Sequence, residues 1–191
     1  MNAVVGLCVA VPLLASALVL GLRRNAAARD TITVSTMAAV TAMAAVLLAE
    51  VDRNGTIVLG VGDWAPDLGI VLVADLFAAL ILLVASATIL VVELFAIGQR
   101  RTPAGADPAV VSPILLVLAG GVSLAILTGD LFTLFVAFEL ILVASYVLLT
   151  HQGRESQVRS GMTYVVINLF ASTLFLFGVA IVYSATGTVN M

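Results

Sequence analysis

From Ser160 to Met191 the chain carries no charged side chain, and the same holds from Met1 to Leu22, Thr31 to Ala49 and Pro108 to Gly129. These uncharged runs limit the possible folds more than any other feature of the sequence. A helix needs about 20 mostly apolar residues to cross a hydrocarbon core roughly 30 Å thick. Charges interrupt this chain at about that interval. Leu68 to Gln99 is uncharged apart from Asp75 and Glu93, and Leu131 to Gly153 apart from Glu139. The pattern predicts six transmembrane helices, at about residues 1–22, 31–49, 69–97, 109–128, 131–150 and 161–185. The expected fold is an all-α polytopic membrane bundle forming a single domain over residues 1–191.

Composition agrees and excludes whole classes of function. Hydrophobic residues make up 62% of the chain and charged residues 10%, against about 25% charged in soluble domains. A nucleic-acid binder or an ordinary cytosolic enzyme is therefore excluded. One cysteine, Cys8, cannot form an intrachain bridge, which removes the secreted disulfide scaffold. All eight basic residues are arginine.

Loops rich in basic residues stay cytoplasmic, and this fixes the expected orientation. Arg23, Arg24 and Arg29 follow the first helix, Arg100 and Arg101 the third, Arg154 and Arg159 the fifth. Arg53 stands apart, among Glu50, Asp52, Asp63 and Asp67. The N-terminus is thus expected outside and the arginine-rich loops inside a bacterial plasma membrane. A cleaved signal peptide is not expected, because its basic residues would precede the apolar run.

The loops carry turn signals. Arg53-Asn54-Gly55-Thr56 before Ile57-Val58-Leu59 reads as a small hairpin turning at Asn-Gly, which tolerates a type I′ turn. Gly62, Trp64 and Pro66 read as a re-entry with Trp64 at headgroup level. Arg101 to Pro108 reads as a flexible link.

Asp75, Glu93 and Glu139 are the charged residues expected inside the membrane. A carboxylate at mid-bilayer costs at least ~2.5 kcal/mol on insertion scales, so such groups mark ion paths or proton relays by default. At 1.5 Å per residue from Leu131, Glu139 lies about 12 Å along its helix, near the midplane. Asp75 is expected about 10 Å inside the outer end of the third helix, and Glu93 within two turns of the inner end. Phe132, Phe135, Val143 and Tyr146 share the face of Glu139. An apolar surround disfavours the ionised form, which suits a group that takes up and releases a proton. The alternative is a neutral structural carboxyl, hydrogen-bonded to a neighbouring helix.

Asp75, Ser86 and Glu93 fall within about 20° of one helical face. This polar stripe is either an access route or subunit contact, or a set of interface-anchored carboxylates packed in the bundle. Asn168 and Ser172 align with Gly161 and Tyr164 on the sixth helix, where small and polar residues favour helix–helix contact over ion conduction. Asp130 reads as the N-cap of the fifth helix. His151, just past that helix, reads as a solvated terminus, with proton transfer as the alternative. There is no Gly-rich phosphate loop, no metal-spaced His or Cys cluster and no nucleophile–His pair. Neither a cofactor nor a metal is expected, and redox chemistry within the chain is not supported.

Thr128-Gly129-Asp130-Leu131-Phe132-Thr133-Leu134-Phe135-Val136-Ala137-Phe138-Glu139, continuing to Ala144-Ser145-Tyr146, resembles the fifth-helix signature of the proton-translocating antiporter-like subunits. These include the D-type subunit of the Mrp Na⁺/H⁺ antiporters and membrane-arm subunits of complex I and membrane-bound hydrogenases. Gly69 to Phe77, Tyr164 to Leu169, Ser172 to Phe175 and Thr186 to Met191 favour the D-type variant of the Mrp antiporters. The resemblance implies that Glu139 is the essential glutamate, working with a lysine on a seventh helix. It implies that Asp75 matches a recurrent aspartate. It also implies a hetero-oligomeric antiporter that exchanges protons for a monovalent cation (Na⁺). The alternatives are a membrane subunit of a redox-driven proton pump and a non-catalytic scaffold. Thr163 departs from the family, which commonly has lysine there. About fourteen helices are expected of a family member, and the final loop breaks off inside a family block, so a longer protein is expected.

Overall fold

The computed structural model describes residues 2–63, 69–99, 108–151 and 155–191. The expected link at Arg101–Pro108 lies outside them except for Pro108, which opens a helix, and so do the re-entry residues Trp64 and Pro66, Arg100 and Arg154. Among the described residues, six helices are long and apolar enough to cross a membrane: α1 (Asn2–Gly21), α2 (Ala26–Asn54), α3 (Leu76–Gln99), α4 (Pro108–Leu127), α5 (Leu131–Thr150) and α6 (Glu155–Thr186). A helix is the natural form for these runs, because hydrocarbon offers backbone amides and carbonyls no other partner. Hydroxyls inside the spans follow the same logic. Thr33, Thr41, Ser123, Thr150 and Thr173 each donate to the carbonyl four residues earlier on their own helix.

Each expected apolar run holds one of these helices, but α2 and α6 reach further than the charge pattern puts them and α3 starts later. α2 begins at Ala26, where the Asn25 side chain accepts from the Ala28 amide at 3.2 Å. It therefore takes in Arg29 and Asp30, which pair at 3.0 Å. At its other end it runs through Glu50, Asp52 and Arg53 to Asn54. Gly55, at φ +83°, then caps it by donating its amide to the Val51 carbonyl. Asn54-Gly55 is thus a helix end and not the hairpin turn expected there. α6 likewise extends back to Glu155 and takes in Arg159.

A hairpin does form, with different partners. β1 (Ile57–Gly60) pairs antiparallel with β2 (Val71–Ala74), and Ile57 lies opposite Ala74. The third helix, expected to open at residue 69, starts only at Leu76, and Val71–Ala74 of that apolar run is a strand. Val71, Leu72 and Val73 suit a pleated, half-buried surface, and short apolar runs do not by themselves distinguish strand from helix. The membrane bundle therefore carries a small two-stranded sheet at one end.

Two apolar layers hold the first four helices together. At the sheet end, Val5 and Cys8 of α1, Ala44 and Leu47 of α2, Leu72 of β2, Leu82 of α3 and Leu127 of α4 form one buried cluster. Val19, Met37, Leu116 and Ala119 form the second, further along α1, α2 and α4. Gly120 fixes the distance between α1 and α4, since a Cβ there would meet Leu13 Cδ2 at 2.6 Å. α5 packs against α4, and α6 against α5.

Candidate functional site

α5 starts at a junction that its own sequence only half reveals. Asp130 is the N-cap, as its spacing implies, accepting from the Thr133 amide at 2.6 Å through Oδ1. Its Oδ2 accepts from the Val71 amide of β2 at 3.4 Å. Around it, the Gly129 amide donates to the Val71 carbonyl at 2.7 Å, the Leu131 amide to Val189 and the Met191 amide to Gly129. One buried carboxyl thus sits where the hairpin, the α4–α5 turn and the segment after α6 meet. Sequence spacing cannot reveal the contact with Val71, because the two residues lie 59 positions apart.

Nine residues into α5 stands Glu139, half-buried. Its Oε1 is buried and makes no hydrogen bond among the described residues. Phe132 and Val143, expected on its face, are exposed on this set of helices. The glutamate is therefore at the edge of the six-helix arrangement and not at its centre.

Next to its chain neighbour Phe138, α5 and α6 flank an open cavity of about 280 Å³. Phe135, Phe138 and Leu142 line the α5 side, and Tyr164, Asn168, Ser172 and Phe175 the α6 side. Phe175 stacks on Phe135 at 6.4 Å and meets Phe138 edge-on at 6.0 Å. The polar stripe expected on α6 thus exists and faces a cavity. Asn168 donates to the Tyr164 carbonyl at 2.8 Å, which satisfies one of its two N–H donors locally. Gly161 allows the helices to close beside Tyr146, since a Cβ there would collide with Thr150 Cγ2 and lie 3.1 Å from the Tyr146 ring. Of this aromatic wall the sequence singles out Phe135; Phe138 and Phe175 were missed, because their meeting depends on how α5 and α6 are rotated.

The other two carboxyls behave differently. Asp75 is not inside a helix. It is exposed and precedes α3 as its cap, accepting from the Ala78 amide at 2.7 Å. The strand that displaces the start of the third helix moves Asp75 from the expected depth to the helix end. Glu93 is fully buried, and Ser112 of α4 donates to its Oε1 at 3.2 Å. Ser86 shares the buried face of α3 with Glu93 and donates to the Leu83 carbonyl of its own helix. None of the three carboxyls, Asp75, Glu93 or Glu139, lines the α5–α6 cavity. His151 ends α5, with Nδ1 2.7 Å from the Leu148 carbonyl. Its Nε2 is buried with no partner among the described residues.

Residues 128–191 match the family described as NADH:quinone oxidoreductase/Mrp antiporter, TM. The chain is 47% identical over 148 residues to the D-type subunit of a Na⁺/H⁺ antiporter of Alkalihalophilus pseudofirmus, covering 76% of this chain and 29% of that protein. It is 36% identical over 194 residues to the same subunit of a Na⁺/H⁺ antiporter of Bacillus subtilis, covering all of this chain and 38% of that one. A chain in the Mrp complex of Dietzia sp. superposes with a TM-score of 0.89 at 35% identity, over 99% of this chain and 35% of its own length. The chain spans about a third of the length of these relatives. It is a multi-pass membrane protein and a homologue of the D-type subunit of Mrp antiporters, belonging to the complex I/Mrp antiporter-like transmembrane family and matching the N-terminal third of its relatives.

Proposed function

We propose that this chain supplies the proton-carrying glutamate of an Mrp-type antiporter, in which proton translocation is coupled to movement of a monovalent cation such as Na⁺. The observation that carries this reading is Glu139 itself, with a buried, unpartnered carboxyl oxygen near the middle of a membrane-spanning helix. A neutral carboxyl tolerates that position, and an ionised one needs a cation or water to reach it. Protonation then becomes conditional on what approaches the helix. The exposed face around Phe132 and Val143 is where a partner group arrives from outside the six helices. The family resemblance supplies that group as a lysine on a seventh helix. Tyr164, Asn168 and Ser172 give the adjoining cavity polar atoms along which water can approach.

Other membrane subunits complete the assembly, and the arginine distribution favours an N-terminus on the outside. The test is Glu139→Gln in the complete antiporter, assayed as cation-driven proton exchange in membrane vesicles. Loss of exchange with normal assembly is expected, and retained exchange contradicts the reading. A second reading, a membrane subunit of a redox-driven proton pump, draws on a family match that spans NADH:quinone oxidoreductases as well as antiporters. Iron–sulfur and quinone-binding subunits co-purifying with the full-length protein would favour it.

A further inference from the structure

Arg23 and Arg24 follow the last turn of α1, and both are exposed. Neither makes an ion pair or hydrogen bond among the described residues. Arg29, the next basic residue along the chain, differs: it is buried and paired with Asp30. The two free guanidinium groups stand at a groove of about 250 Å³ between the end of α1 and the beginning of α4. Its other walls include Leu20, Val110, Pro113 and Ile114, all apolar.

Depth gives this combination its meaning. α1 has 20 residues, which at 1.5 Å per residue amounts to roughly 30 Å, the thickness of a hydrocarbon core. The residues just beyond it lie at headgroup level, with the groove's apolar walls on the acyl side. Guanidinium groups bind phosphate with paired, charge-assisted hydrogen bonds. Basic pockets between transmembrane helices hold anionic headgroups.

We infer that the α1–α4 groove is a binding site for an anionic phospholipid, with Arg23 and Arg24 on the phosphate and one acyl chain against Leu20, Val110 and Ile114. The apolar walls select a lipid over a free anion, which would leave them uncovered. The two charges select an anionic headgroup over a zwitterionic one, whose own cation opposes them. The site does not depend on the role of Glu139.

The test uses the complete antiporter complex in bilayers, with phosphatidylglycerol or phosphatidylcholine carrying a photoreactive acyl chain. Crosslinked peptides are then mapped. Phosphatidylglycerol should label the end of α1 and the start of α4 about tenfold more than phosphatidylcholine does. Arg23→Gln with Arg24→Gln should reduce that label to the phosphatidylcholine level. Arg23→Lys with Arg24→Lys should restore most of it, and excess inorganic phosphate should leave it in place. Equal labelling by the two lipids overturns the site, as does label insensitive to the glutamine pair. Competition by inorganic phosphate overturns it in favour of a simple anion site. Crosslinks from the groove to another subunit overturn it in favour of a protein contact. If the glutamine pair fails to assemble, the two-lipid comparison on the unaltered complex decides.

Discussion

Ser112 on α4 donates a hydrogen bond at 3.2 Å to Glu93 on α3, and both side chains are fully buried. Polar contacts of this kind tie membrane helices together where burying apolar surface gains little. Ser112→Ala should lower the melting temperature of the purified complex, by an amount equivalent to about 0.5–2 kcal/mol. Glu93→Gln keeps an acceptor oxygen and should cost less than Glu93→Leu. Equal losses for the two Glu93 variants would remove the hydrogen bond from the account of the α3–α4 contact.

Asp130 serves two elements at once, capping α5 and accepting from β2. Asp130→Ala should cost about 0.5–2 kcal/mol through the lost cap. The damage should also spread. Amide exchange should rise at Val71 as well as in the first turn of α5, whereas a cap alone would affect only α5. Asp130→Asn, which keeps a capping oxygen, should protect α5 far better than alanine does.

Gly161 predicts a rescue. Gly161→Ala places a Cβ against Thr150 and Tyr146 and should destabilise the α5–α6 contact by about 1–3 kcal/mol. Thr150→Ala removes the Cγ2 that the new methyl would strike. The double variant should therefore be more stable than the sum of the two single changes, by at least ~0.5 kcal/mol. Additive losses in thermal unfolding would show that the helices do not close at this point.

The cavity predicts a change in transport without a change in assembly. Ser172→Leu fills part of the 280 Å³ between α5 and α6 and removes a polar group from its wall. Exchange should fall severalfold while the complex assembles at its usual level. Unchanged exchange rates in vesicles would show that water does not use this cavity.

Much of this fold is legible in the spacing of charges, because burying one is costly enough to punctuate a membrane chain. The six apolar spans follow from that cost, and Asp130 as a cap follows from its place before an apolar run. Asp75 is the exception. Its flanking residues are as apolar as a helix requires, but Val71–Ala74 pairs with Ile57–Gly60, and no local pattern announces a partner strand that distant. The charged ends of α2 depart from expectation for a related reason. A helix need not stop where the hydrocarbon does, so Asn25 and Gly55 mark its ends better than Arg29 and Glu50. The contacts of Glu93 with Ser112, and of Phe135 and Phe138 with Phe175, depend on helix rotation, which weakly amphipathic spans barely encode.

Infrared difference spectroscopy of the complete complex between high and low pH reads whether Glu139 takes up and releases a proton. A protonated-carboxyl band should appear as pH falls, vanish in Glu139→Gln, and survive in Asp75→Asn and Glu93→Gln. A band that persists unchanged in Glu139→Gln would contradict it.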